Sequence, residues 1–485
     1  MAIAVAAVLI PGVTNGYQGN GIPLVNEYPL PKGSHPLGIT TDHSGNIYVA
    51  CSGTGTILKA SRDNLTWFPY LLPTPNGSSE IWGMAADRKG RIWFTDTLSN
   101  AIWCLDPSTG NFTSYTIPTR HAYPFQLVLD ESGTVWFTEL YGGAIGRLAP
   151  ETGLIREFFP PSPSSGPSGL AIDSSGSIWF SEALARNIGR FSPKTGEFEE
   201  YPLPGSSFPR GVIADRQGKI WVADSGGSAL YRFDPERNQS IAYVTPFPQY
   251  ATESEPYFLV MGPTGELWIN ERMGNKIARL DPVTMSLVEV ELRYLSTKDL
   301  ANWIPPPCCS NPVGMPIVPV EALAVSVDGE GNLWFTESLG DKVGMVRGDI
   351  SSPVKFQDIP GSLPLQSGKT TRTVFTPKII SGDPSSFRLT YSVPSSADEL
   401  LIDLSPLARS DPGVSPYQLS IDVPPGLVVH PTSVTVTAVD GSFAASALIT
   451  LGDTVSSSPT RASSPWGGFL IIALGGALAI RRKVK

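Results

Sequence analysis

Residues 176–182 read GSIWFSE, and variants of this phrase occur six more times along the chain. Its pattern is glycine, any residue, apolar, aromatic, apolar, small, acid. The seven copies are 45–51 (GNIYVAC), 90–96 (GRIWFTD), 133–139 (GTVWFTE), 176–182 (GSIWFSE), 218–224 (GKIWVAD), 265–271 (GELWINE) and 331–337 (GNLWFTE). The aromatic positions follow one another every 42 to 47 residues, with one interval of 66 before the last copy. A repeat of this length built from short strands predicts an all-β fold, a seven-bladed β-propeller over residues 24–351.

Each unit predicts four strands. In the fourth copy an apolar strand (169–172) precedes an Asp-x-x-Gly turn, the aromatic strand and a third strand over Asn187–Phe191, and EYPLP (200–204) supplies the fourth. Aspartate and glycine favour the tight turns between such strands. A blade cannot bury both faces alone, so the ring must close. Residues 25–31 or 354–360 could supply the last outer strand.

A basic residue recurs eight positions after most of the acids. Pairing each acid with the base of the next blade predicts ion pairs between adjacent blades, since the planar guanidinium can grip a carboxylate with two bonds. The predicted pairs are Asp96–Arg147, Glu139–Arg190, Glu182–Arg232, Asp224–Arg279 and Glu337–Lys59. The same register sets Cys51 opposite Cys104, which predicts a disulfide; two buried free thiols are the alternative.

The repeat resembles the virginiamycin B (streptogramin B) lyase family of seven-bladed propellers. The phrases that carry the resemblance are the GxIWFTE copies, NIGRFSPKTG at 187–196 and NKIARLDP at 275–282, and the similarity extends over about 25–347. This family opens the ester of a cyclic peptide antibiotic by elimination and uses a magnesium ion. The resemblance therefore implies a carbon–oxygen lyase with a divalent cation.

The family's chemistry uses a Glu-x-His at the start of one inner strand and a Glu-x-x-His after the following aromatic strand. The matching residues are Glu255-Pro256-Tyr257 and Glu271-Arg272-Met273-Gly274. Both glutamates are present, and Tyr257 and Gly274 replace the histidines. The resemblance thus implies Glu255, Tyr257 and Glu271 as catalytic positions, and Glu255 and Glu271 as candidate ligands for Mg²⁺ or Ca²⁺. A tyrosine at its ordinary pKa is a poor base at neutral pH and a glycine has no side chain, so the bases that the family reaction uses are replaced here.

Ten residues before each repeat glycine, the chain enters the innermost strand of a blade. These segments should surround one end of the central channel, which we call the mouth. The predicted ligand-binding residues of the mouth are Glu80, Trp82, Phe125, Arg210, Tyr257 and Glu321. Aromatic side chains beside a few polar groups suit sugar or peptide ligands. The alternative is that these side chains only fill the channel. An insertion at about 293–318, which carries Cys308-Cys309, is predicted to cap the mouth or cover an edge.

Other features predict domains outside the propeller. Residues 1–16 resemble a signal peptide without its usual basic start. Residues 352–452 contain short β-rich runs that predict an immunoglobulin-like β-sandwich, a stalk. A Ser/Pro linker (453–465) leads to an uncharged segment (466–480) and a basic tail (481–485), a pattern that predicts a membrane anchor with the propeller outside the cell and the C-terminus in the cytoplasm.

Composition narrows the classes of function. The formal net charge is −9 with no basic patch, which argues against a nucleic-acid partner, and the chain is expected to be a monomer. Three hypotheses follow: a membrane-anchored extracytoplasmic module that binds a glycan, peptide or protein at the mouth; a metal-dependent lyase or lactonase-like hydrolase acting on a cyclic ester; or a structural component of the cell envelope. The first is preferred because the residues expected to act as bases are replaced.

Overall fold

The computed structural model describes residues 13–14, 18–19, 22–74, 79–245, 253–295, 320–380, 388–394, 397–407, 416–428, 430–440 and 443–452. These residues form an all-β structure of repeated four-stranded antiparallel sheets, as predicted for a propeller. The predicted cap with Cys308-Cys309, most of residues 1–16 and the segments from 453 onward lie outside the described residues.

The strands of the propeller run in chain order. The first are β1 (Val13–Thr14), β2 (Gln18–Gly19), β3 (Ile22–Pro23) and β4 (Val25–Pro29). Blade 1 is β5 (Pro36–Thr41), β6 (Asn46–Cys51), β7 (Thr56–Ser61) and β8 (Phe68–Leu71). Blade 2 is β9 (Met84–Ala86), β10 (Ile92–Asp96), β11 (Ala101–Asp106) and β12 (Asn111–Thr116). Blade 3 is β13 (Pro124–Leu129), β14 (Val135–Glu139), β15 (Ala144–Ala149) and β16 (Leu154–Phe158). Blade 4 is β17 (Pro167–Ile172), β18 (Ile178–Glu182), β19 (Asn187–Phe191) and β20 (Phe198–Pro202). Blade 5 is β21 (Pro209–Ala214), β22 (Ile220–Asp224), β23 (Ala229–Asp234) and β24 (Gln239–Val244). Blade 6 is β25 (Pro256–Met261), β26 (Leu267–Glu271), β27 (Lys276–Asp281) and β28 (Ser286–Glu291), and blade 7 begins with β29 (Ala322–Val327), β30 (Leu333–Glu337) and β31 (Lys342–Val346).

The turn between the first and second strands of a blade is held by its aspartate. In blade 4 one carboxylate oxygen of Asp173 accepts hydrogen bonds from the backbone N–H groups of Ser175 (2.8 Å) and Ser177 (3.0 Å). The other accepts from the Trp179 indole Nε1 at 2.8 Å. One carboxylate therefore fixes both the turn and the buried ring beside it.

The same bond recurs in five other blades. The donors and acceptors are Tyr48 to Asp42, Trp93 to Asp87, Trp136 to Asp130, Trp221 to Asp215 and Trp334 to Asp328, at 2.8–3.2 Å. In blade 6 Gly262 stands where the aspartate would be, and the buried Nε1 of Trp268 has no acceptor among the described residues. Blade 6 lacks this bond.

The recurrent bases of the third strand lie over the aromatic ring of their own blade. Arg147, for example, pairs directly with Trp136 across the two strands, and its guanidinium carbon is 5.7 Å from the ring centroid. The equivalent contacts are Lys59 on Tyr48, Arg190 on Trp179, Arg232 on Trp221 and Arg279 on Trp268, at 5.6–5.9 Å. In blade 2, where Cys104 takes the basic position, Arg91 covers Trp93 from the second strand at 5.1 Å. A cation over an aromatic ring is a stabilising electrostatic contact. Each of these bases therefore stabilises its own blade and does not link two blades.

Each aromatic ring packs on the next blade. Trp136 of blade 3 shares a core cluster with Leu170, Ile178 and Phe180 of blade 4, and Trp334 of blade 7 lies with Ile47 of blade 1. The same relation holds around the ring for the remaining blades. The core is therefore a set of seven seams rather than one central cluster.

Hydrogen bonds also link neighbouring blades, through the small residue of the repeat. The Thr138 hydroxyl donates to the carbonyl of Ser168 in the next blade at 2.8 Å and accepts from the backbone N–H of Gln126 in its own blade at 3.0 Å. Thr95, Ser181, Asn270 and Thr336 make the equivalent bridges. The specific contacts between adjacent blades are therefore these hydrogen bonds, in the role for which the sequence predicted ion pairs.

The ring closes with its N-terminal strand. β4 pairs antiparallel with β31 and completes blade 7, so the first of the two predicted alternatives for closure is the one observed. The buried carboxylate of Glu27 on β4 accepts a hydrogen bond from Lys342 Nζ at 2.5 Å. Val354–Gln357, the other candidate, belongs to the C-terminal region instead.

The C-terminal strands form two sheets that share a core. They are β32 (Val354–Gln357), β33 (Ser362–Leu363), β34 (Thr370–Ile379), β35 (Arg388–Ser392), β36 (Leu401–Pro406), β37 (Tyr417–Asp422), β38 (Thr432–Asp440) and β39 (Phe443–Leu451). One sheet has the order β32-β34-β37-β36, and the other contains β35, β38 and β39. Phe375 and Leu419 of the first sheet pack with Val436 and Ile449 of the second. The immunoglobulin-like class stays a prediction.

This region is not separate from the propeller. β39 pairs antiparallel with β28, the outer strand of blade 6, and extends that blade's sheet. The hydroxyls of Tyr243 in blade 5 and Thr450 are 3.0 Å apart, and Thr435 donates to the Val244 carbonyl at 3.2 Å. The domain therefore lies against blades 5 and 6 and covers the outer edge of blade 6, which a simple stalk would not do. Among the described residues no helix is long and apolar enough to cross a bilayer, and the predicted anchor at 466–480 lies outside them.

We expect Asp215→Ala to lower the free energy of unfolding by about 1–3 kcal/mol, because it leaves the buried Trp221 indole without an acceptor and frees the turn. Urea unfolding followed by tryptophan fluorescence measures this change. Asp63→Ala, at an exposed aspartate, is the matched control and should change stability little. Equal effects of the two variants would contradict the proposed role of the aspartate–indole bond.

Candidate functional site

All seven innermost strands begin at the mouth, so the residues that precede them face one another across the ring. Several of these residues adopt a left-handed backbone conformation: φ is 42° at His35, 55° at Tyr123, 50° at Glu255 and 54° at Glu321. Blade 4 has Gly166 at this position, with φ 69°. This conformation costs about 1–2 kcal/mol in a residue with a Cβ atom. The mouth therefore holds large side chains at positions whose backbone favours glycine.

Aromatic side chains from opposite sides of the ring close the channel below the mouth. The rings of Phe125 and Phe258 are stacked with centroids 5.8 Å apart, and Trp82 and Tyr257 adjoin them at 5.3 and 5.0 Å. Phe125 and Tyr257 are buried, whereas Trp82 is partly exposed. We call this group the aromatic floor. The two predicted roles, ligand binding and filling of the channel, thus belong to different residues. Phe125 and Tyr257 fill the channel, and Trp82 remains accessible.

Arg210 lies among these rings. Its guanidinium carbon is 4.3 Å from the centroid of Phe208, 5.1 Å from Tyr257 and 5.3 Å from Phe125. Its Nε is buried and has no hydrogen-bond partner among the described residues. No carboxylate of the described residues forms an ion pair with it. Arg210 is therefore a half-buried cation held by aromatic faces, with hydrogen-bond donors to spare.

Glu80 is occupied by its neighbours. One carboxylate oxygen accepts from Trp82 Nε1 at 3.2 Å and from the Tyr123 hydroxyl at 3.0 Å, and the other accepts from Thr97 at 2.6 Å. Burial and the Glu80 charge raise the pKa of Tyr123. Glu80 therefore orients Trp82 and Tyr123 instead of offering a free carboxylate to a ligand.

Arg272 binds the other two mouth acids. Its Nε is 2.6 Å from Glu255 Oε2 and its Nη1 is 3.5 Å from Glu321 Oε1. Glu255 comes from blade 6 and Glu321 precedes the inner strand of blade 7, so the guanidinium links two blades. One cation thus pairs with two carboxylates, which leaves one negative charge in the group when both are ionised. Burial acts to lower the pKa of Arg272, but the two glutamates outweigh it and raise the pKa.

The positions implied as catalytic do not form an accessible acid–base pair. Tyr257 is buried in the aromatic floor, and burial raises its pKa although Arg210 and Arg272 act in the opposite direction. Glu271 is fully buried: its Oε2 accepts from the buried Ser254 hydroxyl at 2.6 Å, and burial with the Glu289 charge raises its pKa well above the usual range. Neither group is suited to take a proton from a ligand at neutral pH.

The magnesium ion that the family resemblance implies does not fit these residues. Glu255 is bound to Arg272, and Glu271 belongs to a different cluster with Glu289 and Lys276. No group of three or more metal-ligating side chains converges among the described residues. A guanidinium already lies between the acids of the mouth, so the candidate ligands Glu255 and Glu271 do not form a cation site.

The predicted ion pairs between blades are wrong. Among the described residues, none of the pairs Asp96–Arg147, Glu139–Arg190, Glu182–Arg232, Asp224–Arg279 and Glu337–Lys59 forms a salt bridge, since each base lies beside its own aromatic ring. The acids instead hold loops at the mouth: Asp96 accepts from the Glu80 N–H at 3.0 Å, and Asp224 from the Phe208 N–H at 2.7 Å.

The predicted disulfide is also wrong. Cys51 and Cys104 are free and buried, and they lie in the cores of two different seams. Burial raises the pKa of each thiol to about 12. The alternative of two buried free thiols is therefore the one observed.

In several blades the acid that ends the second strand adjoins a glutamate on the fourth strand. The neighbours are Glu139 and Glu157, Glu182 and Glu200, Glu271 and Glu289, and Glu337 and Glu27. Burial, and then the neighbouring charge, raises the pKa of Glu139 to about 8 and that of Glu182 to about 7. Two carboxylates cannot hydrogen-bond each other unless one keeps a proton. These pairs were not predicted, although a glutamate recurs on the fourth strand of these blades.

Other residues of the site were also missed. Arg272 lay inside the motif matched to the family, and Tyr123 and Phe208 lay among the residues that enter the innermost strands. None was assigned a role, because the ring's geometry decides which of them meet.

Comparison with known proteins agrees with this fold. The profile of the Virginiamycin B lyase family matches residues 24–280. Virginiamycin B lyase from Staphylococcus aureus, solved with selenomethionine, is 25% identical over 66% of this chain and 98% of its own, with a TM-score of 0.55. A streptogramin B lyase structure is 25% identical over 66% of this chain and 96% of its own, with a TM-score of 0.56. YCF48 bound to D1 peptide, at 12% identity and a TM-score of 0.50, covers 72% of this chain and 100% of its own and shares the fold alone. None of the curated proteins compared with the chain matches its sequence.

The Glu139 carboxyl predicts a pH dependence of stability. Its pKa is about 8 in the folded protein and roughly 4.3 in an unfolded chain, so the folded state binds more protons between these values. The free energy of unfolding should therefore fall as pH rises from about 5 to 8. Glu139→Gln should remove part of this fall, with its largest stabilisation above pH 8.

Urea unfolding of the wild type and Glu139→Gln at pH 5 and pH 8.5 measures the difference. Glu131→Gln, at an exposed glutamate of the same blade, is the control and should leave the pH dependence unchanged. An identical pH dependence in Glu139→Gln and the wild type would show that the carboxyl ionises normally in the fold.

Proposed function

This chain belongs to the virginiamycin B lyase family, and we propose that its propeller is a ligand-binding module. The ligand class is an organic acid whose carboxylate meets Arg210 and whose apolar part rests on the partly exposed side of the aromatic floor. Binding would need no metal, since the proposed contact is made by the protein's own cation.

The state of Arg210 carries this proposal. A guanidinium has five N–H donors in a planar fork that matches a carboxylate, and Arg210 spends none of them on an acid among the described residues. The three aromatic rings hold the side chain in place and lower the local dielectric, which strengthens a charge-assisted bond formed there. The other mouth acids already have partners in the fold: Glu255 and Glu321 pair with Arg272, and Glu80 accepts three hydrogen bonds.

Elimination from a cyclic ester is supported less well. That reaction needs a base near neutral pKa at the mouth, and the two matching positions hold a buried tyrosine and a glycine. Glu255 and Glu321 pair with Arg272, and Glu80 accepts three hydrogen bonds. Neither position that replaces a family histidine, and none of these three glutamates, therefore offers a free base.

We expect N-acetylphenylalanine to bind and its amide to bind at least about tenfold more weakly, because only the acid can pair with Arg210. Titration calorimetry measures both affinities. Arg210→Gln should reduce the affinity for the acid to that for the amide. Arg216→Gln, an exposed arginine at the opposite end of the channel, is the control and should bind as the wild type does. Equal affinities for acid and amide, or no binding of either, would refute the proposed site and leave a structural role.

We also propose that the propeller acts on the outer side of a membrane, with residues 466–480 as its anchor. The uncharged run followed by Arg481, Arg482 and Lys483 supports this placement. The full chain should sediment with membranes, and removal of residues 453–485 should shift it to the soluble fraction. Sedimentation of the shortened chain with membranes would place the attachment elsewhere.

A further inference from the structure

Three exposed apolar side chains stand at one repeat position around the mouth. Leu98, Tyr141 and Leu184 each follow the acid of the second strand by two residues, in blades 2, 3 and 4, and they are 61%, 69% and 53% exposed. The same position holds Gly53 in blade 1, Gly226 in blade 5, a half-buried Met273 in blade 6 and a buried Leu339 in blade 7. We call the three side chains the apolar rim. It occupies one side of the mouth only.

The rim is held rigidly and joins the Arg210 site. The backbone N–H groups of Tyr141 and Leu184 donate to the carbonyls of Ala122 (3.1 Å) and Ser165 (2.9 Å), which fixes both turns. The Tyr141 ring lies 4.8 Å from Tyr123, whose hydroxyl reaches Glu80. Glu80 in turn binds Trp82, and Trp82 packs on Phe125 beneath Arg210. Side chains in contact therefore lead from the exposed rim to the recessed cation.

We infer that the mouth binds the C-terminal end of an apolar peptide chain, with the terminal carboxylate on Arg210 and the preceding side chains across Leu98, Tyr141 and Leu184. This inference rests on the proposed function, which requires only an organic acid. The partner is a protein or peptide whose last residues are apolar.

The chemistry of the rim favours a peptide over a sugar. Two of its three members are leucines, which bury aliphatic side chains well but offer no flat face for a pyranose ring. Exposed apolar surface beside polar groups is typical of a site for another chain. Because the turns are already ordered, binding would lose little conformational entropy in this protein.

The depth of the cation favours a chain end. Arg210 has aromatic rings within 4.3–5.3 Å on three sides and a buried Nε, so access is limited in direction. A terminal carboxylate can enter end-on, whereas an internal aspartate would require the backbone to arch over the floor. Arg210 therefore selects the C-terminal end of the bound chain through its terminal carboxylate. The rim, which lies on one side of the mouth, sets the direction in which the rest of the chain runs.

The test uses a pool of N-fluoresceinated pentapeptides whose last three positions vary among Leu, Val, Phe and Tyr. The pool is prepared with a free C-terminal carboxylate, as the C-terminal amide, and as the amide with one internal aspartate. Fluorescence anisotropy is measured with the full chain, with Arg210→Gln, and with the rim triple variant Leu98→Ser, Tyr141→Ser and Leu184→Ser. Leu154→Ser with Val283→Ser, two exposed apolar residues at the opposite end of the blades, is the control. N-acetylphenylalanine is titrated into every variant.

The inference predicts that the free-acid pool binds about tenfold or more tightly than either amide pool, and that the rim triple variant weakens it by about tenfold. The control variant should bind as the wild type does, and the rim triple variant should keep its affinity for N-acetylphenylalanine. If that small acid binds through Arg210 while the rim change leaves peptide affinity unaltered, the peptide inference is wrong and the proposed function stands. Tighter binding of the internal-aspartate pool would overturn the chain-end assignment, and failure of the small acid and all three pools would overturn both proposals.

Discussion

The buried aromatic ring of the second strand is the interaction on which the rest of this structure depends. In most blades its polar edge bonds to the turn aspartate, a cation covers one face, and the ring packs against the next blade. It therefore stabilises a turn, a strand pair and a seam at once. Since each ring is the core of its neighbour, no blade is complete alone, and stability requires closure by β4.

Closure gives the mouth its composition. Residues far apart in the chain, such as Phe125 and Phe258, meet because seven innermost strands begin at one end of a narrow channel. Aromatic rings fill the axis, and the two arginines among them differ in kind: Arg272 is neutralised by two glutamates, whereas Arg210 is surrounded by rings. The family resemblance implied carboxylates, histidines and a metal ion at this site. The structure instead has a recessed cation above an apolar floor.

The outer parts of the blades follow a different rule. In blades 3, 4, 6 and 7 the acid that ends the second strand lies against a fourth-strand glutamate in a poorly solvated layer. In blades 6 and 7, Lys276 and Lys342 pair with that fourth-strand glutamate. Blade 6 departs further, because it lacks the turn aspartate and its outer strand pairs with β39. An added strand covers the edge that an outer strand otherwise presents to solvent. The C-terminal region therefore extends the blade that lacks the aspartate–indole bond.

The repeat by itself determined the number of blades, the order of strands and the aspartate turns, because each depends on residues close together in sequence. It also identified Glu80, Trp82, Arg210 and Glu321 as residues of the mouth. Only the tertiary structure decided which bases meet which partners: the cross-strand neighbour of Arg147 is Trp136, only one strand away, while the acid of another blade is out of reach. The same limit explains the absent Cys51–Cys104 disulfide, the pairing of Arg272 with Glu255 and Glu321, and the choice of β4 for closure. Periodicity fixes local strands, but side-chain partners depend on distances across a closed ring, which a linear spacing does not contain.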